Sequence, residues 1–126
     1  NDMSSRSIEG ENPLYLPQAK VFDRCASLGP CLYVPKEPIH AQAQIDLQIF
    51  RDGQLMYQDN VGNDRMKRKH QELVDYLFME CSFPFGVFLM TGTCLVPPTE
   101  FTLQKGDNIK ITIDHIGTLI NQVSKR

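Results

Sequence analysis

Polar and apolar positions alternate most clearly between Ala41 and Val61. Ile45, Leu47 and Ile49 are separated by Asp46 and Gln48, and Leu55, Met56 and Tyr57 follow an Asp52-Gly53 pair. Period-two alternation is the mark of a half-buried strand. An Asp-Gly pair between two such runs predicts a β-hairpin, because both central residues must reach positive φ. Ile109, Ile111 and Ile113 repeat the alternation over Asn108–Asp114, and Gly117 separates this strand from a closing strand at Thr118–Val123. Lys105-Gly106-Asp107 reads as a turn. Between these strand regions the period changes. Met66, Leu73, Val74, Leu77 and Phe78 fall on one face of a helix expected over Asn63–Glu80, capped by Asn63 or Asp64, with Glu72, Asp75 and Glu80 in water. The unbroken apolar run of Gly86–Met90 predicts a short buried strand that delivers Thr91-Gly92-Thr93. Lys20–Ala26 is expected as a short strand and Cys31–Val34 as an extended segment. Pro13 and Pro17 argue against a long helix in the first nineteen residues, which read as loop with short turns. Leu28-Gly29-Pro30 is a further turn.

One helix among many short strands is a β-rich α+β pattern, and 126 residues suffice for one domain with a core of its own. A net charge of −2 gives no basic footprint for nucleic acid, and no apolar run approaches a membrane span. The basic run Lys67-Arg68-Lys69-His70 reads as a solvated helix face rather than a phosphate contact. The four cysteines, at 25, 31, 81 and 94, have neither Cys-x-x-Cys spacing nor a neighbouring histidine in a zinc pattern. Buried free thiols in a reducing cytoplasm are the expected state.

Two residues in the first thirty carry the chemical interest. Asp2 is a hard oxygen ligand within a run of small polar residues, and Lys20 is a lone amine beside Ala19, Val21 and Phe22. On spacing alone, a solvated aspartate and a strand-end lysine with its head in water would account for both.

Asn1-Asp2-Met3-Ser4-Ser5-Arg6, Lys20, Gly29-Pro30 and Thr91-Gly92-Thr93, in that order, resemble the fumarylacetoacetate hydrolase superfamily. Glu11–Lys20 and Thr93–Pro98 look most like its 2-keto-3-deoxy-arabinonate dehydratase-like branch. The resemblance covers almost the whole chain and implies a mixed β-roll with one main helix. It also implies a divalent cation, usually magnesium (manganese or calcium otherwise), held by three carboxylates. Asp2 matches the aspartate among them, while the other two belong to a Glu-x-Glu pair upstream. Glu9 and Glu11 have that spacing but follow Asp2, so they are not assigned. Residues 1–126 are therefore expected to form a single domain, the C-terminal part of such a catalytic domain, binding the metal only if the missing carboxylates are supplied.

The resemblance further implies that Lys20 is the catalytic lysine and that Thr93, with Gly92, contacts the substrate carboxylate. Arg6 either binds a carboxylate or braces its loop. The expected reaction is magnesium-dependent dehydration of a 2-keto-3-deoxy sugar acid through a metal-stabilised enolate. One alternative is a carbon–carbon bond hydrolase or decarboxylase acting on acylpyruvate-type diketo acids. Another is a truncated, inactive member that keeps only the fold and a subunit interface. Two departures bear on the choice: Ser7 stands where aspartate is usual, and Cys94 stands where the family has a small residue or proline. Cys94 reads as a packed thiol. A cytoplasmic homodimer, with a small 2-keto acid as substrate and neither nucleic acid nor membrane as partner, completes the expectation.

Overall fold

The computed structural model describes residues 1–124. The alternating segments form four strands, β1 Gln44–Arg51, β2 Gln54–Gly62, β3 Asn108–Ile113 and β4 Gly117–Gln122. They pair antiparallel in the order β2-β1-β3-β4. The expected hairpin is present. Asp52 and Gly53 stand at φ 50° and 79°, the conformation a two-residue hairpin loop requires. Register follows from the pattern, with Ile45, Leu47 and Ile49 opposite Ile113, Ile111 and Ile109. One face of the sheet is therefore aliphatic. Leu47, Ile49, Ile109 and Leu95 form the buried cluster, and Met3, Tyr57, Val61, Phe101 and Leu103 pack against it. The other face is polar, with Lys110 over the Phe50 ring at 4.7 Å and the Thr112 and Thr118 hydroxyls 2.8 Å apart.

The segment returning to β3 is pinned by a charged clamp. Asp107 is fully buried at 0% exposure. It accepts Arg51 Nε at 2.8 Å, Arg51 Nη2 at 2.9 Å and the Gln104 amide at 2.8 Å. Arg51 also donates to the Thr102 carbonyl at 3.0 Å and lies 5.8 Å from the Phe101 ring centre. The hydrogen bond from Arg51 holds the Asp107 carboxyl below its ordinary value, outweighing the burial that pushes the other way.

Several expectations fail. The first twenty residues are not mainly loop. They form α1 Arg6–Glu11, a 3-10 turn Pro13–Tyr15 and α2 Leu16–Lys20. Pro13 and Pro17 sit in the opening turns of the latter two, where a missing N–H costs nothing. Lys20 consequently ends a helix instead of starting a strand, and residues 20–26 contribute only an isolated bridge, Asp2 with Ala26. The long helix is shorter than its apolar period suggests. α3 runs His70–Phe78 with Lys69 as its N-cap, and Asn63–Arg65 is a separate 3-10 turn. Met66 and Lys69 are extended, which breaks the period. Finally, residues 86–90 form no strand among the described residues, and Phe88 is 61% exposed. The cysteines are free but not buried, since Cys31, Cys81 and Cys94 are exposed and Cys25 is half-buried. Glu72 is half-buried and pairs with Arg68 at 2.9 Å. No helix among the described residues is long and apolar enough to cross a membrane.

Candidate functional site

Residues 1–5 run extended along the 25–27 segment. Ser27 N donates to Asn1 O at 3.0 Å, and Met3 N donates to Cys25 O at 2.8 Å. Further on, Ser5 N donates to Ala19 O at 2.8 Å. In an extended chain, alternate side chains leave on opposite sides. Met3 joins the core cluster, which leaves Asp2 and Ser4 together on the other side. Lys20 reaches them from the last turn of α2, whose preceding residue Ala19 is completely buried and anchors the helix. Lys20 Nζ donates to Asp2 Oδ2 at 2.8 Å and to Ser4 Oγ at 2.6 Å. The Lys20 and Asp2 side chains remain 33% and 31% exposed, so the pair is solvated and open to a ligand.

Arg6, the first residue of α1, donates from Nη1 to the Pro98 carbonyl at 2.9 Å. It ties the Asp2 segment to the segment that carries Thr93. Thr93 Oγ1 accepts the Leu95 amide at 3.0 Å, leaving its hydroxyl proton available to a ligand. Gly92 has φ +80°, a conformation suited to glycine. Thr91, Gly92, Thr93 and Cys94 line one side of a cavity of about 250 Å³. Ile45, Val61, Asn63, Arg65, Met66 and Lys67 contribute to the remainder. Asp2, Lys20 and Arg6 are not among its lining residues.

The candidate residues thus form two groups, Asp2 with Lys20 and Thr93 with Gly92, and Arg6 braces the chain between them. Sequence reasoning assigned nothing to Ser4, although its spacing of two from Asp2 in an extended segment was a usable signal. It also left out Arg65 and read Lys67 as helix surface. Cys94 is an exposed wall of the cavity, not a packed thiol.

Among the described residues, no three His, Cys, Asp or Glu side chains gather into a metal site. Asp2 alone fits a hard divalent cation. Its Oδ2 is engaged by Lys20, while Oδ1 accepts no hydrogen bond from the described residues. One carboxylate oxygen is a fraction of the octahedral oxygen shell that magnesium requires. Glu9 and Glu11 lie on α1, exposed, and join no such group.

Residues 1–124 match the model of the fumarylacetoacetate (FAA) hydrolase C-terminal family. The chain belongs to the fumarylacetoacetate hydrolase family. A probable 2-keto-3-deoxyxylonate dehydratase of Haloferax volcanii is 50% identical over 126 residues, covering 98% of this chain and 43% of that protein. A 2-dehydro-3-deoxy-D-arabinonate dehydratase of Saccharolobus solfataricus is 39% identical over 127 residues, covering 100% of this chain and 43% of that protein. A solved 2-keto-3-deoxy-D-arabinonate dehydratase, complexed with magnesium and 2,5-dioxopentanoate, superposes with a TM-score of 0.91. It is 40% identical and covers 98% of this chain and 44% of its own. The chain spans less than half the length of these relatives. Within the family, the expected fold holds, with a four-stranded antiparallel sheet and few helices.

Proposed function

We propose that this chain forms a single domain carrying part of the active site of a magnesium-dependent dehydratase for a 2-keto-3-deoxy sugar acid. The observation that carries the reading is the contact of Lys20 Nζ with Asp2 Oδ2 and Ser4 Oγ, at 2.8 and 2.6 Å. A lone strand-end lysine would have its head in water. Here a buried helix anchor and an extended segment hold an amine against a carboxylate. The identity of 50% and 39% to two dehydratases supports the substrate class. The magnesium in the solved relative supports the metal.

In this reading Asp2 would hold the cation through its carboxylate, together with further protein ligands from outside the described residues. When bound, the cation supplies Lewis-acid stabilisation of charge developing on the keto oxygen. Asp2 Oδ2 and Ser4 Oγ fix the position of the Lys20 ammonium. Lys20 donates a hydrogen bond to the oxygen that becomes negative when the carbon beside the keto group loses its proton. The hydroxyl on the next carbon leaves with a proton as water, so the net change is loss of one water molecule. Thr93, through its free hydroxyl proton, and Gly92, through its backbone, receive the substrate carboxylate, and Arg6 holds the two segments in register.

The test is Lys20→Met in the whole protein, assayed for water loss from 2-keto-3-deoxy pentonates, with thermal unfolding alongside. A loss of roughly 100- to 1000-fold with an intact fold is expected. Undiminished turnover would overturn the role of Lys20.

A second copy of the chain is proposed to cover the exposed apolar residues around Phe78, Met79, Phe85 and Phe88. Sedimentation equilibrium checks this homodimer, and a monomer at high concentration would refute it. The free cysteines support placement in a reducing cytoplasm.

A further inference from the structure

The basic run Lys67–His70 is solvated throughout, as expected, but it is not one helix face, because α3 begins only at His70. Arg68 is tied to Glu72, four residues along, at 2.9 Å. Lys67 precedes α3 and lines the cavity beside Thr93, together with Arg65 from the 3-10 turn. Neither Arg65 nor Lys67 has an ion-pair or hydrogen-bond partner among the described residues. The turn that presents Arg65 is built firmly. Asn63 N donates to Ala43 O at 2.9 Å, and Met66 N donates to Asn63 O at 3.2 Å. Gly62 lets Asp64 fold back, since a Cβ there would lie 2.6 Å from Asp64 Oδ1. Two unpaired cations, two threonine side chains and a glycine backbone thus line one cavity of about 250 Å³, with Ile45, Val61 and Met66 as its apolar part. That is the composition of a site for a small organic anion.

We propose that Arg65 and Lys67 are specificity-determining residues that give this cavity its preference for a carboxylate over a neutral carbonyl compound of the same size. The proposal deepens the dehydratase reading and rests on it for the identity of the acid. It adds that the charge selecting the acid comes from the turn after β2, whereas Thr93 and Gly92 supply only neutral contacts. Arg65 offers a planar fork matched to a carboxylate, and Lys67 offers a point charge. The cavity is open to solvent at both residues, so the selection should weaken as salt rises.

The experiment is calorimetric binding of pyruvate, pyruvamide and inorganic phosphate to the whole protein in magnesium-containing buffer. It compares wild type with Arg65→Gln, Lys67→Gln, the double variant and Arg65→Lys. Wild type should bind pyruvate in preference to pyruvamide and to phosphate. The double variant should bind pyruvate roughly 10- to 100-fold more weakly, as expected for lost hydrogen bonds to a charged group. Arg65→Lys should recover part of the loss. Both side chains are exposed and unpaired, so thermal unfolding should stay at the wild-type value.

Equal binding of pyruvate by wild type and the double variant would overturn the proposal. Equal binding of pyruvate and pyruvamide by wild type, or no pyruvate binding at all, would also overturn it. Preference for phosphate would overturn the carboxylate assignment. A protein that dehydrates no 2-keto-3-deoxy acid, yet whose pyruvate binding depends on Arg65 and Lys67, would refute the dehydratase reading and leave the anion site standing. Intact dehydration with pyruvate binding indifferent to both residues would do the reverse.

Discussion

Replacing Asp107 with alanine should be the most damaging single change outside the hydrophobic cluster. The carboxylate has 0% exposure and receives three hydrogen bonds, two from Arg51 and one from the Gln104 amide. Removing it strands the guanidinium and an amide. Breaking a fully buried ion pair costs about 3–5 kcal/mol. The Arg51 side chain keeps 23% exposure, so water can take up part of its lost solvation, and the expected loss is lower, about 2–3 kcal/mol. In urea this should move the unfolding midpoint down by about 1–2 M. Asp107→Asn keeps the size and one acceptor but loses the charge, and should cost about half as much. The pH dependence follows from the direction of the carboxyl's shift. Arg51 holds it below its ordinary value of 3.8, so the folded state binds this proton less readily than the unfolded state. The stabilisation is therefore complete above that ordinary value and is lost as pH falls through it towards the lowered folded value. Wild type and Asp107→Asn should accordingly converge in stability as pH drops through that window. An Asp107→Ala loss below about 0.5 kcal/mol, the size of an ordinary surface change, would refute the clamp as a stabilising element. So would a constant gap between wild type and Asp107→Asn across the acid range.

Asp2→Ala in the whole protein should reduce magnesium affinity measured by calorimetry, and unchanged affinity would remove Asp2 from the metal site. Ser4→Ala removes one of the two groups holding Lys20, and should lower kcat by roughly 3- to 10-fold with little change in thermal unfolding, as for loss of one hydrogen bond. Gly117 sits at φ +111° and a Cβ there would approach Pro30 Cγ at 3.2 Å, so Gly117→Ala should cost about 1–3 kcal/mol in urea unfolding.

The sheet was legible in the sequence because its information is local. Alternation sets the buried face, and Asp52-Gly53 sets the hairpin turn and the pairing next to it, Arg51 with Gln54 and Phe50 with Leu55; beyond Phe50 the register of β1 on β2 shifts by one residue, which the turn does not encode. Other segments were misread where a local signal has two physical outcomes. Pro13 and Pro17 do prevent a long helix, but proline is equally at home in the opening turn of a short one. The apolar residues 86–90 carry the composition of a buried strand. Burial also requires a partner surface, and a run of Val-Phe-Leu-Met does not say which chain provides it.

The candidate site shows the same division. Asp2 and Lys20 were singled out by family resemblance, but what brings them within 2.8 Å is the tertiary placement of α2 against the extended segment, through buried Ala19. Periodicity cannot express that contact, because the residues are eighteen positions apart and on different elements. The basic run makes the point more sharply. Read as letters, Lys67, Arg68, Lys69 and His70 form one feature. In the fold, Lys67 borders a cavity, Arg68 is paired with Glu72, Lys69 is the extended residue before α3 and His70 begins it. A single break in helical conformation between Arg65 and His70 gives each neighbour a different environment. The functional meaning of a charge run therefore depends on where the helix starts, and a shift of that start from Asn63 to His70 puts Lys67, still exposed, beside a cavity instead of on a helix face.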